Sequence, residues 1–597
     1  MAMARMTARS ARRRRFATAT VTTTATLLAT FGLLAGCTLA QGDPGDTGNR
    51  AGEGGQGEST RQAAGAGGAP SVPRTTLRVL AGSELADMQP VLDEARTATG
   101  VGVEFDYVGT LEGAERVAAG NAVNSYDATW FSSDRYLSLI PGGNEKIAAS
   151  QRIMSSPVVL GLLPASATRL GWDTAPPTWA TIAKAASDGQ FTFGMTNPAV
   201  SNSGFSALVG VSTALAGGGA AIDATRINKV TPQLVGFFSG QRITAGSSKW
   251  LADTFVQRAS GATTPAGTTT GPVDGLVNYE SVLLELSDSA ATGGPLTLVY
   301  PADGVVSADY PLSLLEGAAA DKRAAFDALA AWLRSPQGQE KIQASTHRRP
   351  VVPGVTPAAE FGDRVLIELP FPAQRSAADA LIAAYGNRLR RPAQMVYALD
   401  VSGSMAARAS ATGTAGAAGS RLDALKAAFD TLSGNTDTTS EAMVAFNDRE
   451  RVVLDSFSDR VRDIGRYEIP ASGGDRVRGE ISRAVSGLTA RGNTALYDAL
   501  LAAYRKAATE MTTRPDAFTT IVLMSDGERT SGLTYAQFEQ AYQQLPAEVR
   551  AVPTFAILLG EADREEMEKL AKLTGGKAFD ARSATLTEVF KEIRGYQ

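Results

Sequence analysis

The chain has one cysteine and one histidine in 597 residues. A single cysteine excludes an intramolecular disulfide. The only histidine, His347, stands in Ser345-Thr-His-Arg-Arg-Pro350 with no cysteine nucleophile to serve, and reads as structural. There is no Gly-x-Ser-x-Gly elbow, no phosphate-binding loop and no zinc motif. An enzyme is therefore not expected. Charge of either sign is scarce in excess: the formal net charge is −4, and no basic patch carries interleaved aromatics. That argues against a nucleic-acid partner. Past the first forty or so residues, no apolar run is long enough to span a bilayer.

The start of the chain is informative by contrast. Arg12-Arg-Arg-Arg15 precedes a moderately apolar run over 16–34, which ends in Leu34-Ala-Gly-Cys37. A basic region, an apolar region and small residues before a cleavage point make a secretory signal. Leu-Ala-Gly-Cys resembles a bacterial lipobox, which implies cleavage after residue 36 and a diacylglyceryl group on Cys37. Arg13-Arg-Arg-Phe16 also resembles a twin-arginine export motif. Residues 42–73 are rich in Gly, Ala and Gln with almost no apolar side chains. Such a segment buries no core and is expected to be a flexible tether, spanning roughly 30 Å root-mean-square. These readings predict 1–36 as signal, 37–74 as lipidated cysteine plus tether, and an extracytoplasmic protein held to the membrane through Cys37.

A chain this long is expected to hold more than one domain. From Thr76 a regular pattern begins: Leu77-Arg-Val-Leu80, Gly82-Ser-Glu, a helix over 85–97, then Val103-Glu-Phe-Asp-Tyr107, Thr110-Leu-Glu-Gly and Asp127-Ala-Thr-Trp-Phe-Ser-Ser133. Further on stand Ser156-Pro-Val-Val-Leu-Gly-Leu162, Thr196-Asn-Pro-Ala-Val-Ser-Asn-Ser-Gly204, Val277-Asn-Tyr-Glu-Ser281 and Leu298-Val-Tyr-Pro301. This strand–serine–helix repetition resembles a type 2 periplasmic solute-binding protein. The resemblance implies a two-lobed domain over 75–390, with lobe one near 75–156 and 298–390 and lobe two near 157–297. Strands that feed helix N-termini leave free N–H groups, which with nearby hydroxyls cradle a polar ligand. The matching positions are Ser83, Thr110, Ser133, Ser203 and Tyr279, each of which also suits an ordinary helix cap. Glu84, Glu112 and Glu280 are expected at the lips with no arginine beside the cleft loops to offset them, which disfavours an inorganic anion.

The last third carries five hard oxygen donors in split order. Asp400, Ser402 and Ser404 lie in Met395-Val-Tyr-Ala-Leu-Asp-Val-Ser-Gly-Ser-Met405, Thr494 in Gly492-Asn-Thr-Ala, and Asp526 in Thr520-Ile-Val-Leu-Met-Ser-Asp-Gly527. Both aspartates end apolar runs that read as buried strands. Ligands collect beyond the carboxyl ends of parallel strands, so the five are expected on one rim around a divalent cation. Over 391–597 the chain resembles a von Willebrand factor type A domain with its metal-ion-dependent adhesion site. The resemblance implies direct metal ligation by Ser402, Ser404 and Thr494, with Asp400 and Asp526 binding directly or through water. Mg²⁺ is the favoured ion, with Mn²⁺ and Ca²⁺ as alternatives. Two carboxylates leave a divalent ion able to accept one more anion, and the resemblance implies that this anion is an Asp or Glu of a protein partner. A small-residue insert over 406–420 departs from the family pattern.

Strands are expected at 395–400, 442–447, 451–457, 519–525, 553–559 and 577–580. Helices are expected at 422–432, 476–488, 495–511, 535–544, 563–573 and 586–594. The whole reads as α/β: a two-lobed periplasmic-binding-like domain, then a doubly wound Rossmann-like domain. The expected role is metal-dependent protein–protein interaction at the cell surface. The alternative is a receptor for an ABC importer, with a small polar solute in the cleft and the second domain as accessory.

Overall fold

A computed structural model describes residues 75–259, 272–287, 292, 294–409, 419–435, 444–527, 529–560, 564–581 and 586–595. The expected signal, Cys37, the tether and most of the 406–420 insert lie outside the described residues. Among the described residues, no helix is long and apolar enough to cross a membrane.

Two sheets make the front portion. β1 (Thr75–Ala81), β2 (Val101–Tyr107) and β3 (Ala128–Trp130) pair in parallel, with β1 in the middle. β4 (Ile147–Arg152) belongs to the same sheet. The chain then crosses over. β5 (Met154–Leu162), β6 (Phe193–Thr196), β7 (Gln241–Ala245) and β8 (Gly275–Tyr279) form a second sheet, in which β8 lies between β5 and β6. β9 (Pro311–Leu315) returns to the first sheet and runs antiparallel between β3 and β4. All nine residues of β5 are buried, and from Pro157 onward its sequence carries no polar alternation. The strand that follows a crossover is buried on both faces, and the helix Asn202–Leu215 behind β6 is buried over twelve of its fourteen residues.

The second half is one six-stranded sheet. β10 (Ala393–Asp400) is central, flanked by β11 (Arg451–Phe457) on one side and β13 (Phe518–Ser525) on the other. β12 (Val461–Glu468) closes one edge antiparallel to β11, and β14 (Thr554–Leu558) and β15 (Lys577–Asp580) continue the other. Every residue of β10 is buried. Helices cover both faces, and their starts follow sequence rules. Ser420 and Asp423 form a capping box at the helix Arg421–Leu432, and Thr534 and Gln537 form another at Tyr535–Gln543.

Two expectations fail in this half. Residues 444–447 are a turn and loop, not a strand, and 442–443 lie outside the described residues. The neighbouring strand β12 was not expected. It is an edge strand whose Arg462, Asp463, Arg466 and Glu468 hold it polar, so no apolar run marks it. Its partner is set by a short hairpin and by ion pairing of Arg451 with Glu468.

The two halves share a core. Val159, Ile243 and Leu276 of the second sheet belong to one buried cluster with Met395, Tyr397 and Phe590. The described residues accordingly fall in one compact unit. Across the junction, Glu450, itself fully buried, accepts from Arg390 and, at 2.8 and 3.0 Å, from Arg594. Burial alone would raise the Glu450 carboxyl, yet the two guanidiniums bring it below the usual range.

Candidate functional site

The rim of the six-stranded sheet is the first site. Asp400 and Ser525 end the adjacent parallel strands β10 and β13. The loops beyond them are stitched together. The Gly403 amide donates to the Gly492 carbonyl at 2.9 Å, and the Thr494 amide donates to Thr530 Oγ1 at 2.8 Å. The Thr494 carbonyl accepts from the Thr530 and Ser531 amides at 3.1 and 3.2 Å. Three segments spread over 130 residues of sequence thus meet at one edge.

The oxygens form a chain. Ser402 Oγ lies 3.0 Å from Ser404 Oγ, which donates to Asp526 Oδ1 at 3.0 Å. Asp400 accepts the Ser402 amide at 2.8 Å and the Ser525 hydroxyl at 2.6 Å. Asp400, Ser402, Thr494 and Asp526 are buried, and Ser404 is exposed at the rim. Burial pushes the Asp400 carboxyl up to about 6, against the hydrogen bonds from Ser525 and Ser402 and with a smaller upward push from Asp526. A buried carboxylate strained upward in this way gains from a nearby cation. Among the described residues no group of three or more His, Cys, Asp and Glu could hold a metal. A cation here would rest on hydroxyls with only two carboxylates, the donor set that hard divalent ions accept. The chemistry of the donors fits such an ion.

Two residues that sequence reasoning passed over complete the rim. Ser525 fixes Asp400, and its place directly before Asp526 was the available signal. Arg421, the first residue of its helix, sends Nη1 to Asp526 Oδ2 at 2.8 Å and is largely buried. Gly560 makes room for it: a Cβ there would stand 2.6 Å from Arg421 Cζ and 2.8 Å from Asp526 Cβ. A guanidinium therefore already rests on an oxygen of the proposed metal set.

The second site is the cleft at the carboxyl ends of the two front sheets, with a cavity of about 600 Å³. Of the five residues expected at the cleft, Ser83, Thr110 and Tyr279 line it. Ser133 and Ser203 do not. Ser133 Oγ accepts from the Arg135 amide at 3.3 Å in a local turn before its helix, and Ser203 is fully buried among the hydroxyls of Thr196, Ser201 and Ser248. Their neighbours Ser201, Asn202 and Ser248 face the cavity instead, and the Asn202 amide donates to Tyr279 Oη at 2.9 Å.

The expectation that no arginine offsets the acidic lips is also overturned. Arg116 pairs with Glu112 at 2.6 Å. Arg349 grips Glu280 through two bonds of 2.7 Å, and Glu280 is fully buried rather than at a lip. Arg348, buried over the Tyr310 ring, donates to Asp87 at 2.6 Å and to the Glu84 carbonyl at 3.1 Å. Arg348 and Arg349 arrive from more than sixty residues away in sequence, so adjacency along the chain gave no hint of them. His347 beside them is the C-cap of its helix and pairs with Glu360 at 3.1 Å.

Against known proteins, residues 77–345 match the family described as bacterial extracellular solute-binding protein, and residues 394–592 match the von Willebrand factor type A domain. Among solved structures, the chain is similar to the periplasmic binding protein AfuA from Actinobacillus pleuropneumoniae, at 14% identity over 53% of this chain and 99% of that one, with a TM-score of 0.41. It is similar to a periplasmic thiamin binding protein at 13% identity over 52% and 95%, TM-score 0.41, and to iron-bound HitA from Pseudomonas aeruginosa at 15% identity over 52% and 99%, TM-score 0.38. No curated protein matches the chain.

Proposed function

On the premise that the chain joins a bacterial extracellular solute-binding domain to a von Willebrand factor type A domain, we propose that it is an extracytoplasmic binding protein that captures a protein partner through a divalent cation. Ser402, Ser404 and Thr494 hold the ion through hydroxyls, and Asp400 and Asp526 hold it directly or through water. The ion supplies an open position for a carboxylate, and Mg²⁺ suits the donor set best. The partner contributes that Asp or Glu. The observation that carries this reading is the Ser404 hydroxyl, which sits between Ser402 and Asp526 although Asp526 lies 122 residues further along the chain. Lipidation at Cys37 anchors the protein to the membrane. Both matched families are binding families, and no catalytic step is needed.

The test is the thermal melt of the full chain in Mg²⁺, Mn²⁺, Ca²⁺ or chelator, beside Asp400→Ala and Thr494→Ala. A ligand at about a hundred times its dissociation constant stabilises by roughly 2.7 kcal/mol. A metal-dependent rise that both substitutions abolish supports the site; an identical melt in metal and chelator refutes it. A second reading, a receptor for an importer, is favoured by the cavity at the strand ends. In that reading the rim is an accessory.

A further inference from the structure

The cavity between the lobes has a third wall. Besides Thr110 of the first lobe and Ser248 and Tyr279 of the second, it is lined by Lys591, Glu592 and Arg594 of the last helix, Leu586–Gly595, which belongs to the metal-rim domain. That helix is fastened to the loops that face the cavity. The Asn197 side-chain amide donates to the Arg594 carbonyl at 3.0 Å, and Lys591 Nζ lies 3.4 Å from Glu112 of the first lobe. Gly595 lies backbone-on-backbone against Gly246: a Cβ on Gly595 would stand 2.5 Å from Gly246 Cα and 3.0 Å from its nitrogen. One helix end thus touches both lobes.

The charges of the cavity leave one uncommitted acceptor. Arg116 and Lys591 meet Glu112, and Arg390 and Arg594 meet Glu450. Glu84 also lines the cavity, but its Oε1 is enclosed and accepts no hydrogen bond. Arg348, whose charge acts on the Glu84 carboxyl, directs its two terminal nitrogens to Asp87 and to the Glu84 carbonyl rather than to that oxygen. Burial raises the Glu84 carboxyl, against its own backbone amide, the Arg348 charge and the Ser132 hydroxyl. An enclosed oxygen without a partner is destabilising, and a ligand donor that reaches it relieves that cost.

We infer that the cleft takes a small solute that donates an O–H or N–H hydrogen bond to Glu84 and is covered at its outer end by the last helix of the metal-rim domain, so that solute binding and the docking of that helix strengthen one another. The solute is a polyol or an aliphatic amine, since both carry such donors and fit among hydroxyl and amide groups. This inference rests on the cleft being a solute site. Reciprocity follows from linkage: a solute that prefers the docked helix must tighten that docking by the same factor.

The experiment is calorimetric titration of the full chain with two sets of probes, monosaccharides and polyols in one and putrescine and spermidine in the other. At least one probe is expected to bind. Glu84→Gln should weaken an amine at least a hundredfold and a polyol about tenfold. Gly595→Leu, which forces the helix off Gly246, should weaken either at least tenfold. Lys591→Ala is a milder variant that perturbs the same wall and should cost a few-fold. Binding unchanged in both Gly595→Leu and Lys591→Ala overturns the shared wall. No binding by any probe overturns the ligand class. The metal-dependent melt, read on the same samples, reports separately on the rim.

Discussion

The rim and the cleft are built on opposite plans. At the rim, Asp400 and Ser525 sit on neighbouring strands of one sheet, so the parallel ladder sets their spacing. At the cleft, the lining comes from two lobes and a helix of a different domain. A site on one sheet is preorganised by hydrogen bonds that the fold needs anyway. A site between bodies depends on how those bodies dock. The rim should therefore survive damage to the junction, and the cleft should not.

The harshest way to test that contrast is Glu450→Ala. It removes the buried carboxylate that Arg390 and Arg594 share, and removing one partner from such a cluster typically costs about 3–5 kcal/mol. The melt of the full chain should fall by many degrees. If the docked helix holds the cleft together, amide exchange in the 197–202 and 246–248 loops should accelerate far more than exchange in β10. Equal acceleration would erase the distinction between the two sites.

A second test concerns pH, where the two sites are alike: burial raises a carboxyl at each, Asp400 at the rim to about 6 and Asp134 behind the cleft. Asp134, behind the cleft, accepts from Ser313 at 2.6 Å while its other oxygen is enclosed without a partner. Burial pushes its carboxyl up to about 7. A carboxyl raised in the folded state binds a proton that the unfolded chain releases near pH 4. Its favourable contribution is therefore complete below about pH 4 and is lost as pH rises through 7. The slope is at most about 1.4 kcal/mol per pH unit. Asp134→Asn should flatten the fall in stability over that window, measured by denaturant melts at a series of pH values. An unchanged profile would mean that Asp134 stays ionised in the fold.

Sequence reading reached the rim far better than the cleft, for the same geometric reason. Asp400, Ser402 and Ser404 lie within one turn of chain, and the buried strands before Asp400 and Asp526 show as apolar runs. Five of the six strands in that half were legible as such. β12 was not, because an exposed edge strand needs no apolar face. In the cleft, Ser133 and Ser203 were indistinguishable by sequence from Ser83, since capping and ligand contact favour the same residue types. Arg348, Arg349 and Lys591 were invisible there because only docking brings them near. Arg421 escaped notice for a different reason. It follows the insert at 406–420, and nothing in its neighbours marks it as the partner of Asp526.

Arg421 also supplies the finest test of the contrast. At the rim, a resident cation holds Asp526 Oδ2 in the position that a metal would draw on. Asp400, Asp526 and Arg421 together carry one net negative charge, so an arriving ion meets half the charge that the carboxylates alone would offer. Metal binding must then displace the guanidinium or tolerate it as a neighbour. Displacement predicts that Arg421→Gln tightens Mg²⁺ about tenfold, or about 1.4 kcal/mol, while lowering the melt in chelator, because the metal-free state has lost its ion pair. Tolerance predicts the opposite at the next step: Mg²⁺ affinity stays flat, and capture of an acidic peptide weakens, because the guanidinium would grip the incoming carboxylate alongside the ion. Calorimetry with Mg²⁺, followed by titration of an Asp-containing peptide, separates the two. Either result leaves solute binding in the cleft unchanged if the rim is as self-contained as its single sheet implies. A shift in cleft affinity on Arg421→Gln would instead show that the two sites are coupled through the domain they share.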